Sequence, residues 1–203
     1  MDIQPVTLEG KRVCLEPLTL AHLPALAQIA FDPDLWRNVP TVMTTEADLR
    51  AYIENALDLQ RAGIALPWVT REKTSGRIIG STRYMDIQKA HRALEIGATW
   101  IMGEFHGSGL NAEAKYLQLQ HAFETLGANR VALKTHHNNQ RSQAAMRGIG
   151  AKQEGVFRNH MIMPDGSLRH TVWFSIIREE WPEVKAHLEQ KMARDFDQRS
   201  SYS

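Results

Sequence analysis

Gly103-Glu104-Phe105-His106-Gly107-Ser108-Gly109-Leu110-Asn111-Ala112-Glu113-Ala114 joins an alternating run at 94–101 to a strongly helical run at 111–126. The first turn of a helix leaves about four N–H groups without partners, and the helix dipole adds partial positive charge there. A glycine turn feeding a helix is therefore a candidate anion site. Gly107 and Gly109 carry no Cβ to hold a phosphate away from those groups. The competing reading is a strand-to-helix turn that binds nothing. Two other nucleotide loops are excluded. A Walker loop requires Lys-Ser or Lys-Thr after its last glycine, where this chain has Leu110-Asn111. A dinucleotide fingerprint requires an acidic residue closing the next strand, and 130–136 contains none.

Further motifs follow in a fixed order: Glu113-Ala114, Ala122-Phe123, Asn139-x-Arg141-Ser142, Gly150-Ala151 and Glu154-Gly155. With Gly107-Ser108-Gly109, their order and spacing resemble the GNAT N-acetyltransferases, most strongly the RimJ/RimL-like branch, over residues 11–181. The resemblance implies acetyl-CoA (coenzyme A) as co-substrate, its pyrophosphate gripped by the glycine loop. The positions it implies for cofactor contact are Trp100, Ile101, Gly107, Ser108, Gly109, Leu110, Asn111, Ala112, Asn139, Arg141 and Ser142. Glu104 stands where the family often has Gln or Arg, and Ala112 where Thr is usual. Those departures shift weight from side-chain to backbone contacts with the phosphates.

Periodicity predicts an α/β (α+β) fold: a mixed, mostly antiparallel sheet flanked by helices. Strands are expected at 12–18, 65–71, 77–87, 94–101, 130–136, 153–163 and 168–177. Helices are expected at 22–31, 45–61, 111–126, from Asn138 or Asn139 to Gly150, and at 179–192. A strand-helix-strand crossover makes 130–136 parallel to 94–101, and the resemblance implies that this pair splays to hold the cofactor. Strict alternation places Leu94, Ile96, Ala98 and Trp100 on one face, with Glu95 and Thr99 together on the other. One domain is expected over 1–192, with a loose tail at 193–203.

Ser142 starts the stripe Ser142, Ala145, Met146, Ile149 of its helix, so its hydroxyl is expected to face the sheet. The residue alone reads as a small helix-start serine; the resemblance makes it the acid that protonates the departing CoA thiolate. Glu95 is a candidate general base or a surface glutamate. The resemblance implies a second acidic group near His160 and Met161, which makes His160 a substitute base. Asn139 binds the cofactor or caps its helix. Arg141 meets phosphate or is a solvated charge, and Glu113 is structural, favoured by the helix dipole. His136 and His137 point to opposite faces if both lie on a strand, and no metal site is expected.

The 203 residues balance 24 basic against 23 acidic side chains without a Lys or Arg run, so neither nucleic acid nor membrane is an expected partner. One cysteine, Cys14, and no apolar run long enough for a bilayer point to the cytoplasm. Cys14 is far in sequence from every motif, so a covalent acetyl-enzyme has no obvious nucleophile. The expected function is direct acetyl transfer from acetyl-CoA to a primary amine, such as a protein or peptide N-terminal α-amine. The alternatives are a small-molecule amine acceptor and a CoA-binding sensor or scaffold without turnover; a homo-oligomer is left open.

Overall fold

The computed structural model describes the backbone of residues 1–200 and the side chains of residues 1–194. Its strands are β1 (Leu8–Glu9), β2 (Val13–Pro17), β3 (Leu66–Glu72), β4 (Ile78–Gln88), β5 (Ala93–Ile101), β6 (Arg130–His136), β7 (Lys152–Ile162) and β8 (Leu168–Ile177). They form one sheet in the order β1-β2-β3-β4-β5-β6-β8-β7. Every neighbouring pair is antiparallel except β5 and β6, the parallel pair that the crossover predicts. Pairing between them covers only Ala93↔Arg130, Leu94↔Val131 and Glu95↔Ala132. Beyond Glu95 the two strands run on unpaired with each other, and a fork opens in the sheet.

The helices are α1 (Leu23–Ala27), α2 (Glu46–Arg61), α3 (Leu110–Gln120), α4 (Gln140–Gly148) and α5 (Trp181–Ser200). Leu23, Leu26, Leu49 and Ile53 from α1 and α2 bury one face of the sheet with Val69, Ile78 and Trp100. Leu117, Leu119, Val184 and Leu188 from α3 and α5 bury the other with Leu94, Ile96, Val131 and Phe174. Thr45 caps α2 as its sequence predicts: Asp48 N–H donates to Thr45 Oγ1 at 3.1 Å, and Thr45 N–H to Asp48 Oδ2 at 2.8 Å.

The structure corrects the strict alternation along β5. Arg83 pairs with Gly97 and Ser81 with Trp100, so Ala98 and Thr99 together oppose Thr82 alone. This is a β-bulge, with Ala98 at φ 46° in the left-handed region. One extra residue inverts the phase of everything after it. Trp100 therefore joins the α1–α2 core while Leu94 and Ile96 face α3, and Thr99 lies on the α3 side, away from Glu95.

Other differences are local. The helical run at 22–31 becomes a 3₁₀ turn, Leu20–His22, and the short α1. The run at 111–126 is α-helical to Gln120 and widens into a π turn at His121–Thr125. The Gln118 carbonyl accepts from the buried Tyr84 hydroxyl where that change begins. The terminal helix passes Met192 and continues to Ser200, into the segment 193–203 expected as a tail; residues 201–203 lie outside the described residues. No helix among the described residues is long and apolar enough to cross a membrane.

Candidate active site

The glycine loop reaches α3 through two left-handed glycines, Gly107 at φ 73° and Gly109 at φ 83°. Gly109 occupies the cap position of α3. Conformations of this kind cost little for glycine and more for other residues. The loop is tied down from beneath. Arg12 Nη2 donates to Ser108 O at 2.8 Å, and the buried Glu113 carboxylate accepts from Arg12 N–H at 2.9 Å. A Cβ on Gly10 would lie 2.3 Å from Glu113 Oε1, so Gly10 makes room for that bond. Glu113 is thus structural, as read from its sequence position.

Within the loop, Ser108 N–H donates to Phe105 O, Leu110 N–H to Ser108 Oγ and Glu113 N–H to Gly109 O. The N–H groups of Gly107, Gly109, Asn111 and Ala112 have no acceptor among the described residues. Unpaired donors at a helix N-terminus, with open space over Gly107, suit a pyrophosphate. Ser108 and Leu110 are buried and their N–H groups are already bonded within the loop, so the unpaired amides belong to their neighbours. Trp100 and Ile101 are likewise buried, in opposite cores, and Trp100 has no side-chain access to the loop side.

Asn139 and Arg141 sit across the fork from this loop, at the start of α4. The Asn139 side chain accepts from Ser142 N–H at 3.0 Å, so it caps the helix. Arg141 is exposed and its Nη1 donates to His106 Nδ1 at 2.7 Å, while His106 Nε2 donates to Ile101 O at 3.0 Å. A carbonyl only accepts, which fixes the proton on Nε2 and leaves Nδ1 as the acceptor for Arg141. Ser142 is half-buried. The expected inward stripe of α4 holds at Met146 and Ile149, which pack on the core, but not at Ala145, which is exposed; within the helix Gln143 is the buried residue, donating from Nε2 to His137 O at 2.7 Å. A polar residue faces inward because it satisfies a carbonyl beyond the end of β6.

Glu95 stands where β5 and β6 part and is 2% exposed. Its Oε2 accepts from Lys134 Nζ at 2.8 Å, and the ammonium also lies 4.9 Å from the Trp173 ring centre. Burial pushes the Glu95 carboxyl above the usual carboxylate range, against the opposing pull of Lys134. Gly97 leaves the space beside it: a Cβ there would lie 2.5 Å from Met85 Sδ and 2.8 Å from Glu95 Oε1. His160 is exposed on the edge strand β7, 6.2 Å from Trp173 between ring centres, and its Nδ1 is 3.0 Å from Thr171 Oγ1. Partial burial, and after it the charges of Lys134 and Arg169, hold its pKa below the ordinary histidine value. Glu95 and His160 therefore share one face of the sheet, linked through Lys134 and Trp173.

Sequence reading missed Lys115 on α3. It is buried, donates to Thr99 Oγ1 at 2.8 Å, Gln118 Oε1 at 3.0 Å and Thr82 Oγ1 at 3.1 Å, and burial lowers its pKa to about 7. It ties α3 to the bulge. Lys134, directly after the apolar run Val131-Ala132-Leu133 in β6, was a visible signal that periodicity alone passed over. Cys14 is buried, its thiol pushed up to about 11 by burial and by its bond to Glu9, a poor nucleophile on a remote strand. His136 and His137 are stacked, with ring centres 4.4 Å apart, because β6 ends at His136 and the strand alternation stops there.

Among curated proteins, the Bacillus subtilis (strain 168) protein named "Putative ribosomal N-acetyltransferase YdaF" is 32% identical over 110 residues, 54% of this chain and 59% of that protein. The aligned segment thus spans well under two thirds of that relative. The crystal structure of a "putative acetyltransferase" from T. thermophilus is 40% identical, covering 94% of this chain and 99% of its own, with a TM-score of 0.84. Mycobacterium smegmatis RimJ in complex with CoA-disulfide shares the fold at 22% identity, covering 94% and 96%, with a TM-score of 0.81. The family model for the acetyltransferase (GNAT) domain matches residues 12–152. The glycine loop, the forked parallel pair and this match agree: the chain belongs to the GNAT acetyltransferase family.

Proposed function

We propose that this protein transfers the acetyl group of acetyl-CoA directly to a primary amine, with a protein or peptide N-terminal α-amine as the acceptor class. The observation that carries the reading is the set of unpaired N–H groups at Gly107, Gly109, Asn111 and Ala112, which opens beside the fork between β5 and β6. Those amides would hold the pyrophosphate, with Arg141 adding positive charge across the fork. The bound co-substrate supplies a thioester carbonyl to be attacked. Glu95 takes the proton that the ammonium must lose before its nitrogen attacks; His160 is the second candidate on that face. As the N–C bond forms and the C–S bond breaks, Ser142 gives its hydroxyl proton to the departing thiolate and is reprotonated by solvent.

Support for a protein acceptor comes from the name of YdaF, a "putative ribosomal N-acetyltransferase", and support for an α-amine from proton energetics. An α-amine of pKa about 7.7–8.0 is partly neutral at physiological pH, whereas a lysine at about 10.4 lies roughly 3 units above that pH. The RimJ/RimL-like motifs favour the same acceptor. Peptides with a free N-terminus, set against N-terminally blocked peptides containing lysine, test it by mass spectrometry. Acetylation at the α-amine is expected; equal or faster modification of lysine overturns this choice of acceptor.

A further inference from the structure

Arg83 is 5% exposed, and its Nε and Nη2 are buried without a hydrogen-bond partner. Its described contact is with an uncharged ring: the guanidinium lies 4.7 Å from the centre of Tyr52. A buried guanidinium without a counter-ion is costly, so its presence calls for an explanation. The Tyr52 hydroxyl is also buried without a partner, as is Trp100 Nε1. These groups belong to one cluster, since Trp36 joins Tyr52 at 5.8 Å and Trp100 at 5.6 Å between ring centres. All four unpaired atoms can donate a proton, and no acceptor is present for them among the described residues.

The cluster adjoins the site. Arg83 is the cross-strand partner of Gly97, the residue that makes space beside Glu95, and directly paired residues project to the same face. Arg169, 4% exposed, stands on the same face beyond the fork, where its Nη1 donates to Asn38 O at 3.2 Å and its Nε to Thr171 Oγ1 at 3.2 Å. Asn38 is two residues from Trp36, so the connection after α1 spans from one cation to the other. Lys134 pairs with Glu95, whose charge also attracts Arg169 from a distance, and neither arginine forms an ion pair with a carboxylate among the described residues.

We propose that the acceptor is an anionic amine, whose carboxylate supplies the acceptor atoms missing at Arg83, Tyr52 and Trp100, with Arg169 as the second cation facing it. The inference rests on the acetyl-transfer reading and adds the substrate's charge to it. A carboxylate of this kind comes from an acidic side chain next to a peptide's free α-amine or from a free amino acid.

The test uses matched acceptors on the full chain: peptides beginning with Asp or Glu against the same peptides beginning with Asn or Gln, and free glutamate against glutaminamide, which carries no carboxylate. For the wild type, kcat/KM is expected to be at least tenfold higher for the acidic member of one of these pairs. Which pair shows it identifies the source of the carboxylate. Arg83→Met should reduce the ratio to about one and Arg83→Lys should retain part of it. Equal or faster acetylation of every neutral member by the wild type overturns the proposal, whatever the fate of the variants. Calorimetry of the acetylated products, acetyl-glutamate against acetyl-glutaminamide and the corresponding peptides, provides a readout without turnover. If no amine is acetylated but the acidic products still bind at least tenfold more tightly, the acetyl-transfer reading fails and the anion site stands; equal affinity removes the anion site.

Discussion

Arg141 Nη1 donates to His106 Nδ1 at 2.7 Å, which joins the first turn of α4 to the loop that opens α3. The two elements lie on opposite sides of the fork and are 35 residues apart in sequence. This bond aims the Arg141 charge at the side where the loop amides are unpaired. His106→Ala should therefore weaken acetyl-CoA binding about fivefold, as expected for one partly exposed hydrogen bond to a cation worth ~1 kcal/mol. Arg141→Ala should weaken it more, since both the charge and the bond are lost. Isothermal titration calorimetry of the two variants gives this order; a larger loss for His106→Ala than for Arg141→Ala would show that the histidine, and not the guanidinium, meets the phosphates.

Ser142→Ala should lower kcat about a hundredfold while leaving CoA affinity within a factor of two. General acid help is worth ~10²–10⁴ in rate, and a thiol of pKa about 8.5 leaves tolerably without it, which favours the low end. The helix cap survives the change, because Asn139 bonds the main-chain N–H of residue 142 and not the hydroxyl. Steady-state kinetics beside a CoA titration measures both effects. A kcat within twofold of wild type would reduce Ser142 to a helix-start residue.

Glu95→Gln should slow turnover by at least tenfold, and Lys134→Met should shift its pH dependence. Lys134 opposes the rise in the Glu95 pKa caused by burial, so removing the ammonium raises it further. The acidic limb of kcat, which reports groups in the loaded enzyme, should then move to higher pH. A limb that stays in place in Lys134→Met would transfer the base role to His160 or to water.

Lys115→Met should stabilise the protein, most at low pH. The folded-state pKa of Lys115 is about 7, below the ordinary lysine value of 10.5. Below pH 7 the lysine is charged in both states and the full penalty of burying that charge is present. Between about 7 and 10.5 the unfolded state binds the extra proton, so the penalty is progressively relieved as pH rises. Thr82 Oγ1 and Thr99 Oγ1 remain 2.8 Å apart and can bond each other without the ammonium. The gain in Tm should be larger at pH 6 than at pH 9.5; a gain independent of pH would place the Lys115 pKa elsewhere.

Most of the fold was legible because its signals are local. Thr45 and Asp48 announced the start of α2, the turn-forming residues at 72–76 announced the hairpin between β3 and β4, and the order of strand, helix and strand fixed the parallel pair. The glycine loop was legible for the same reason, since left-handed glycines before a helix state their own geometry. The bulge at Ala98 carried no such mark. Alanine rarely adopts positive φ, so the inverted phase of Trp100 and Thr99 arises from tertiary pairing with β4. Arg83 and Lys115 were illegible as site residues because only the fold shows that each is buried without a carboxylate partner.

If the loop from Gly103 to Gly109 serves acetyl transfer to an amine, the most direct measurement is release of free thiol from acetyl-CoA by the wild type and by Gly109→Asp, with a panel of α-amine peptides and small amines. Gly109→Asp puts a Cβ and a negative charge at a cap position with φ 83°, beside the unpaired amides. It should abolish both acetyl-CoA binding and thiol release while circular dichroism stays unchanged. Amine-dependent release is expected in the wild type alone, with the acetyl group recovered on the amine. Acetyl-CoA binding without release for any amine, or wild-type affinity and release in folded Gly109→Asp, would contradict that role for the loop.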